Sequence, residues 1–558
     1  MRSGCGAAIR RLAAPDLLDD QRFVRPVVLC YYSVISPGFS CFNPMFLRVI
    51  ATALIVFVCS FGTQAQSSTS ASQEKSHVER FSTPEVRAEK AEIDASAKLA
   101  ADPNEDVALN SRALARARLG KMTEAYEDLI KATALKPENS DYRANLGYVL
   151  WKLGKFAEAV EAERTAIKLD PKNSSAHYQL GKFLLRLGQP NDLNGAVSEL
   201  KRALELDARQ FEARFELIAA YRELGNLAEA AAQLDVLQEA RPTDPRVFYV
   251  TALLDTDRKD FGAAVRNFNE AITRDPTMFG ALQDLGLLYA KANKWPEAAT
   301  TFGELAKRQP NSIEAAYFHG LALYNSGNNT DAEAEARRAL RIDAGAVEAH
   351  TLLGIILASR GNANTEAAES LSQAVALNPA SFDAQLYLGR VQYAMKDYTG
   401  ALKSLDAAVK INPKHAEARF FLGTVLELAG DSTRAMSEYQ ELLRLDPNSV
   451  MGQLGAGALL VKAGKLDEAM VALNKAVSLD PKEFEAHWAL GRALALKERF
   501  AEAVEEFQRA IALVPSRADA HYQLGLALRR LGRTEEANRE FAIVERLNAE
   551  FRSGTAPD

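Results

Sequence analysis

The chain has 558 residues, too many for one compact domain, so several domains or a repeat array are expected. Hydrophobic residues at 47% and charged residues at 25% let most of it bury a core, and a formal charge of -6 without a long single-sign block disfavours a basic nucleic-acid binder and an acidic tail. All four cysteines (Cys5, Cys30, Cys41, Cys59) lie in the first 59 residues, which excludes a disulfide framework, a thiolate metal site and a cysteine nucleophile from the remainder.

Residues 1–44 mix Pro, Cys, Arg and Asp without helical or strand period. They read as an unstructured extension or a gene-start artefact ahead of a true start at Met45. The competing reading is a transit peptide; Arg2, Arg10 and Arg11 favour it, and Asp16, Asp19 and Asp20 oppose it. Arg48 then precedes the apolar run Val49–Phe61, with small residues up to Ala65, so 45–65 reads as a secretory signal cleaved near Ala65. The run is short for a spanning helix, which wants about 20 apolar residues; an uncleaved anchor is the alternative. Val58 before Cys59 does not suit a lipoprotein signal. With positive charge on the N-terminal side, the body is expected outside the cytoplasm, periplasmic or secreted, in either case.

The Ser/Gln/Thr-rich segment 66–83 reads as a flexible linker. Thr83-Pro84-Glu85 supplies an N-cap, a first-turn proline and an early acid, so 84–105 should hold an N-terminal capping helix reaching about Ala101. From Asp106 to 551 the sequence repeats every 34 residues, with aligned units starting at 106, 140, 174, 211, 245, 279, 313, 347, 382, 416, 450, 484 and 518, and a tail at 552–558. Within a unit the eighth residue is mostly Gly (Gly147, Gly181, Gly389), where helices must approach closely. The twentieth is always Ala (Ala159, Ala401), which fits a tight crossing. Gly at the fifteenth (Gly154, Gly430) suits a left-handed helix end, and Pro at the thirty-second (Pro171, Pro413) stops the second helix.

These spacings resemble the tetratricopeptide repeat, over about four fifths of the chain. The resemblance implies an all-α fold: a right-handed α-solenoid of stacked antiparallel helix pairs, a superhelix whose first helices line a concave groove. It also implies a non-catalytic scaffold that binds other proteins. Ile218 in place of Gly, and Ala208 and Ala344 in place of Pro, are local departures.

No chemistry competes with that reading. His177, His350, His487 and His521 all occupy the fourth position of their units. Equivalent atoms in neighbouring repeats stand roughly 10 Å apart, too far to share a metal at about 2 Å, so polar helix surface near the seam is expected. Gly452, Gly455 and Gly457 follow no strand and lack phosphate-loop spacing; they are expected to weaken their helix. No cofactor, metal, catalytic residue or nucleic acid is expected, and a membrane only through an uncleaved signal.

If the family geometry holds, the fifth position faces the groove and reads Tyr178, Phe215, Tyr249, Tyr317, Phe420, Trp488 and Tyr522, a ladder for a partner peptide or helix or, equally, packing between repeats. Arg118, Lys152, Lys182 and Arg186 make the first units basic on this face, and Glu314, Glu348, Asp383 and Glu417 make the middle acidic. The family's chaperone-binding members clamp a terminal carboxylate with a fifth-position Lys and a ninth-position Asn, absent here. Alternatives to the scaffold are an accessory subunit of a glycosyltransferase or export machine, with catalysis in trans, and a self-associating rod that forms a homodimer through Phe541, Val544 and Leu547 at its end.

Overall fold

The computed structural model describes residues 83–361 and 363–553, so the expectations for 1–44, for the signal at 45–65 and for most of the linker lie outside the described residues. The first helix, Pro84–Ala101, starts as local chemistry dictates: the Thr83 hydroxyl accepts from the Val86 amide at 3.4 Å, and Pro84 stands where no amide hydrogen is needed. All later described elements are helices in antiparallel pairs, without strands, whose first members begin at Asp106, Ser140, Ser174, Phe211, Pro245, Phe279, Ile313, Val347, Phe382, Ala416, Val450, Phe484 and Ala518. The last helix, Thr534–Ser553, reaches into the segment expected to be a tail.

The turn inside each pair is set by backbone conformation more than by residue type. Gly120, Gly154, Gly188, Gly225, Gly327, Gly361, Gly430, Gly464 and Gly532 take φ between 66° and 88°. Lys259, Asn293, Lys396 and Glu498 hold the same left-handed conformation at φ 56–64°, at about 1–2 kcal/mol apiece. Four repeats thus accept local strain because packing of the two helices fixes the turn.

Packing inside a pair explains two of the recurring residues. Each twentieth-position alanine, from Ala125 to Ala537, is fully buried. The eighth-position glycine leaves room for the side chain at position 24 of the same repeat. A Cβ on Gly181 would stand 2.6 Å from Leu200, one on Gly423 2.6 Å from Tyr439, and one on Gly491 2.7 Å from Phe507. Gly452 and Gly455 do not break their helix, which runs unbroken over Val450–Lys462. A Cβ on Gly455 would lie 2.4 Å from the Tyr439 ring, and one on Gly452 2.9 Å from Leu443, so both glycines admit side chains of the preceding repeat.

Contacts divide the chain into two compact stacks, one ending at Leu288 and the other beginning at Tyr289. Within each, successive first helices touch one another, as Ser140–Lys152 touches Ser174–Leu187 and Phe382–Ala394 touches Ala416–Leu428. That arrangement gathers the first helices of a stack into one continuous face.

Candidate binding face of the first helices

The fourth-position side chains lie on the seam between repeats. His177 Nδ1 meets Glu199 Oε2 at 2.5 Å, and its Nε2 meets the Pro171 carbonyl at 3.2 Å. His487 does the same with Glu506 (2.6 Å) and Pro481 (3.0 Å), and His521 with Glu540 (2.6 Å) and Pro515 (3.0 Å). Other residue types do the same job: Gln385 donates to the Pro379 carbonyl at 3.1 Å, and Arg419 to that of Pro413 at 2.7 Å while pairing with Glu438. His350 reaches the Ala344 carbonyl at 3.1 Å, so the carbonyl, not the proline ring, is the recognised group. His177, His487, His521 and Arg419 each tie their own second helix to the end of the preceding repeat, whereas Gln385 makes only the carbonyl bond. His177, His487 and His521 are therefore buried, and the expectation of surface histidines is corrected: both ring nitrogens are spent on this tie, which requires the ring to lie between helices. Among the described residues no cluster of three His, Cys, Asp or Glu side chains is placed to hold a metal.

On the first-helix face of the first stack the expected ladder residues are half-buried, and each has an internal contact. Tyr178 and Phe215 pack against the core, and the Tyr249 hydroxyl donates to Asp284 at 2.7 Å. Burial, with Glu216 and Glu212 nearby, pushes the Tyr178 hydroxyl up to about 12. Lys182 lies over the Tyr178 ring at 5.6 Å, and Arg246 over Phe215 at 4.7 Å. The cations expected to await a partner are engaged already: Arg186 donates to Glu216 at 3.1 Å, and Lys182 stands 3.9 Å from the same carboxylate. Glu216, at the sixth position of the following repeat, is a counter-charge that the ladder positions alone do not reveal. Arg118 and Lys152 are exposed, and Lys152 lies 5.6 Å over Tyr148.

In the second stack Tyr317 packs on Phe318 at 5.6 Å between ring centres, Phe420 on Phe421 and Tyr439 at 5.8 and 6.2 Å, and Arg492 covers Trp488 at 4.7 Å. Tyr522 alone of the ladder is exposed, at 47%. Charge is less balanced here. Glu417 is paired with Arg390 at 2.8 Å, and that guanidinium also lies 5.0 Å from the Tyr387 ring and 5.2 Å from Phe421. Asp383 and Glu348, the second residues of consecutive repeats, have no ion pair among the described residues. Burial pushes the Asp383 carboxyl up to about 7 and raises that of Glu348 as well.

Sequence comparison agrees with this architecture. The family described as Tetratricopeptide repeat matches residues 110–174, 144–192, 251–313, 283–347, 317–382, 351–415 and 389–450. A second pattern of that description matches 189–254, and one described as TPR repeat matches 457–498 and 491–532. The chain belongs to the tetratricopeptide-repeat family, whose fold is typically a non-catalytic scaffold for protein–protein interaction. None of the curated proteins matches the sequence. Solved structures similar to it include the APC/C hetero-tetramer Cut9-Hcn1, at 17% identity, covering 81% of this chain and 98% of that one with a TM-score of 0.41. MamA is similar at 21% identity, covering 30% of this chain and 97% of that one with a TM-score of 0.26. A MamA RS-1 ArsTM double mutant is similar at 24% identity, covering 31% and 97% with a TM-score of 0.27.

Proposed function

We propose that the chain is an exported, non-catalytic scaffold of the cell envelope or exterior, and that its first-helix face receives an extended segment or helix of another protein. Export is supported by Arg48, the short apolar run Val49–Phe61 and the small residues up to Ala65. Among the described residues no helix is long and apolar enough to cross a membrane. N-terminal sequencing of the mature chain should find a start near Gln66; residues 50–60 retained on a soluble cytoplasmic protein would refute export.

The observation that carries the binding reading is the uncompensated pair Glu348 and Asp383. Both are partly desolvated without a cation, a cost that a partner's Lys or Arg would relieve. The half-buried rings of Tyr393 and Phe421, 6.0 Å apart, add apolar contact. The favoured occupant is a basic segment with interspersed apolar residues. The test uses two labelled peptides of alternating Arg-Leu and Glu-Leu with the full chain. The Arg-Leu peptide should bind and weaken with salt, and Glu348→Gln with Asp383→Asn should cut its affinity about tenfold or more while stability at pH 8 does not fall. Equal binding of both peptides, or no loss in the double variant, would refute this reading of the face.

A further inference from the structure

Position 24 fills the space left by the eighth-position glycine and is Leu, Phe, Tyr or Ala in every aligned repeat but one. In the repeat starting at 140 it is Glu163, fully buried, with neither carboxyl oxygen hydrogen-bonded. Its Oε1 lies 2.5 Å from where a Cβ on Gly147 would stand, the place that Leu200 takes against Gly181 at 2.6 Å. The acid stands one residue late. Elsewhere the acid at position 23, such as Glu199 or Glu506, pairs with the fourth-position side chain, but here position 23 is Ala162. One residue further turns the side chain about 100° round the helix, off the pairing position and into the seam. Arg143, the fourth-position residue, is left with a buried Nε that has no acceptor.

We propose that Glu163 is a proton-controlled joint between the two helices of the repeat starting at 140: protonated, it packs against Gly147 as a polar stand-in for leucine, and on losing the proton it opens that seam locally. A carboxylate there would be a buried charge with no donor, which an apolar seam does not hold. Burial alone pushes the carboxyl well above the usual carboxylate range; no neighbouring charge contributes. The ionisable groups on the two helices packed against it are otherwise occupied. On Ser140–Lys152, Asp141 accepts from Asn173, Tyr142 donates to Asp106, and Lys152 lies over Tyr148. Arg143 alone there shares the Gly147 face, one turn away. On Ser174–Leu187, His177 is tied to Glu199 and Pro171, while Tyr178, Lys182 and Arg186 belong to the binding face. Opening the joint would loosen Phe156–Leu169, on which the helix carrying those three residues packs. Stability in such arrays is close to nearest-neighbour, so the change stays local.

Hydrogen exchange of the full chain from pH 5 to 9, corrected for the intrinsic base-catalysed rate, tests this. Peptides covering 140–187 should open more with rising pH, by at most about tenfold per pH unit for one proton, while peptides covering 484–513 stay flat. Glu163→Leu should fold, because Leu stands against the glycine in the repeats starting at 174, 347, 382 and 450. That variant and Glu163→Gln should both abolish the rise. His177→Gln should keep it, since Gln385 makes the same carbonyl bond in its own repeat. A wild-type chain without the rise, or a rise that survives in Glu163→Leu, overturns the proposal.

Discussion

A Cβ placed on Gly389 would stand 2.6 Å from Cγ of Leu405 and 3.3 Å from the Leu405 backbone nitrogen. The side chain could swing aside, but the backbone could not, so the two helices of the repeat must separate. Gly389→Ala should therefore destabilise by about 1–3 kcal/mol despite the better helix propensity of alanine. Gly430→Ala, in the next turn, has nothing within 4 Å and suffers only through its φ of +86°, at about 1–2 kcal/mol. Hydrogen exchange separates the mechanisms. The first variant should loosen 382–411 through its packing, and the second should fray mainly the turn near 428–432. Uniform loosening of the whole stack by either would contradict a modular array.

How far such effects were legible in the sequence depends on whether they recur. The period, the helix pairs and the tight alanine crossing repeat in phase, so each copy supports the others. Lys396 in the left-handed turn did not announce itself, because nothing about a lysine marks positive φ; only its alignment with Gly430 does. The glycines of Val450–Lys462 have a packing reason that propensity does not reveal. Propensity weighs a glycine against its own helix, whereas Gly455 answers to the Tyr439 ring of the repeat before it. On the binding face, residue positions could be read from the period, but compensation could not. Whether Lys182 is free depends on Glu216 in the next repeat, and whether Asp383 is free depends on which guanidinium turns toward Glu417 instead.

The fourth-position ties predict a graded series at His521. Its ring joins Glu540, on the last helix, to the Pro515 carbonyl at the end of the preceding repeat. His521→Ala leaves both without that partner and should cost about 1–3 kcal/mol, with faster exchange over 515–550. His521→Gln should recover part of the loss by restoring the carbonyl bond, as Gln385 does with Pro379 at 3.1 Å. Equal loss in the two variants would show that the carboxylate contact alone matters. No loss in either would show that the tie is incidental to packing.

Asp383 links stability to binding through one proton. Burial pushes its carboxyl from an ordinary 3.8 up to about 7. Below 3.8 both folded and unfolded chains hold the proton, and burial carries no electrostatic cost. Between 3.8 and about 7 the unfolded chain releases it while the folded chain keeps it, so stability falls as pH rises; above about 7 the loss is complete. The loss is at most about 4 kcal/mol, and denaturant unfolding at pH 4, 6 and 8 should show it in the wild type and not in Asp383→Asn. A bound arginine favours the ionised form, so binding below about pH 7 must expel the proton. Affinity for the Arg-Leu peptide should therefore drop as pH falls from 8 to 5.5, by up to about tenfold per pH unit. In Asp383→Asn the binding curve should be weaker at pH 8 and flatter below it. If wild type and variant give parallel curves of affinity against pH, the carboxyl that responds is not Asp383, and Glu348, raised by burial in the repeat before it, becomes the residue to substitute next.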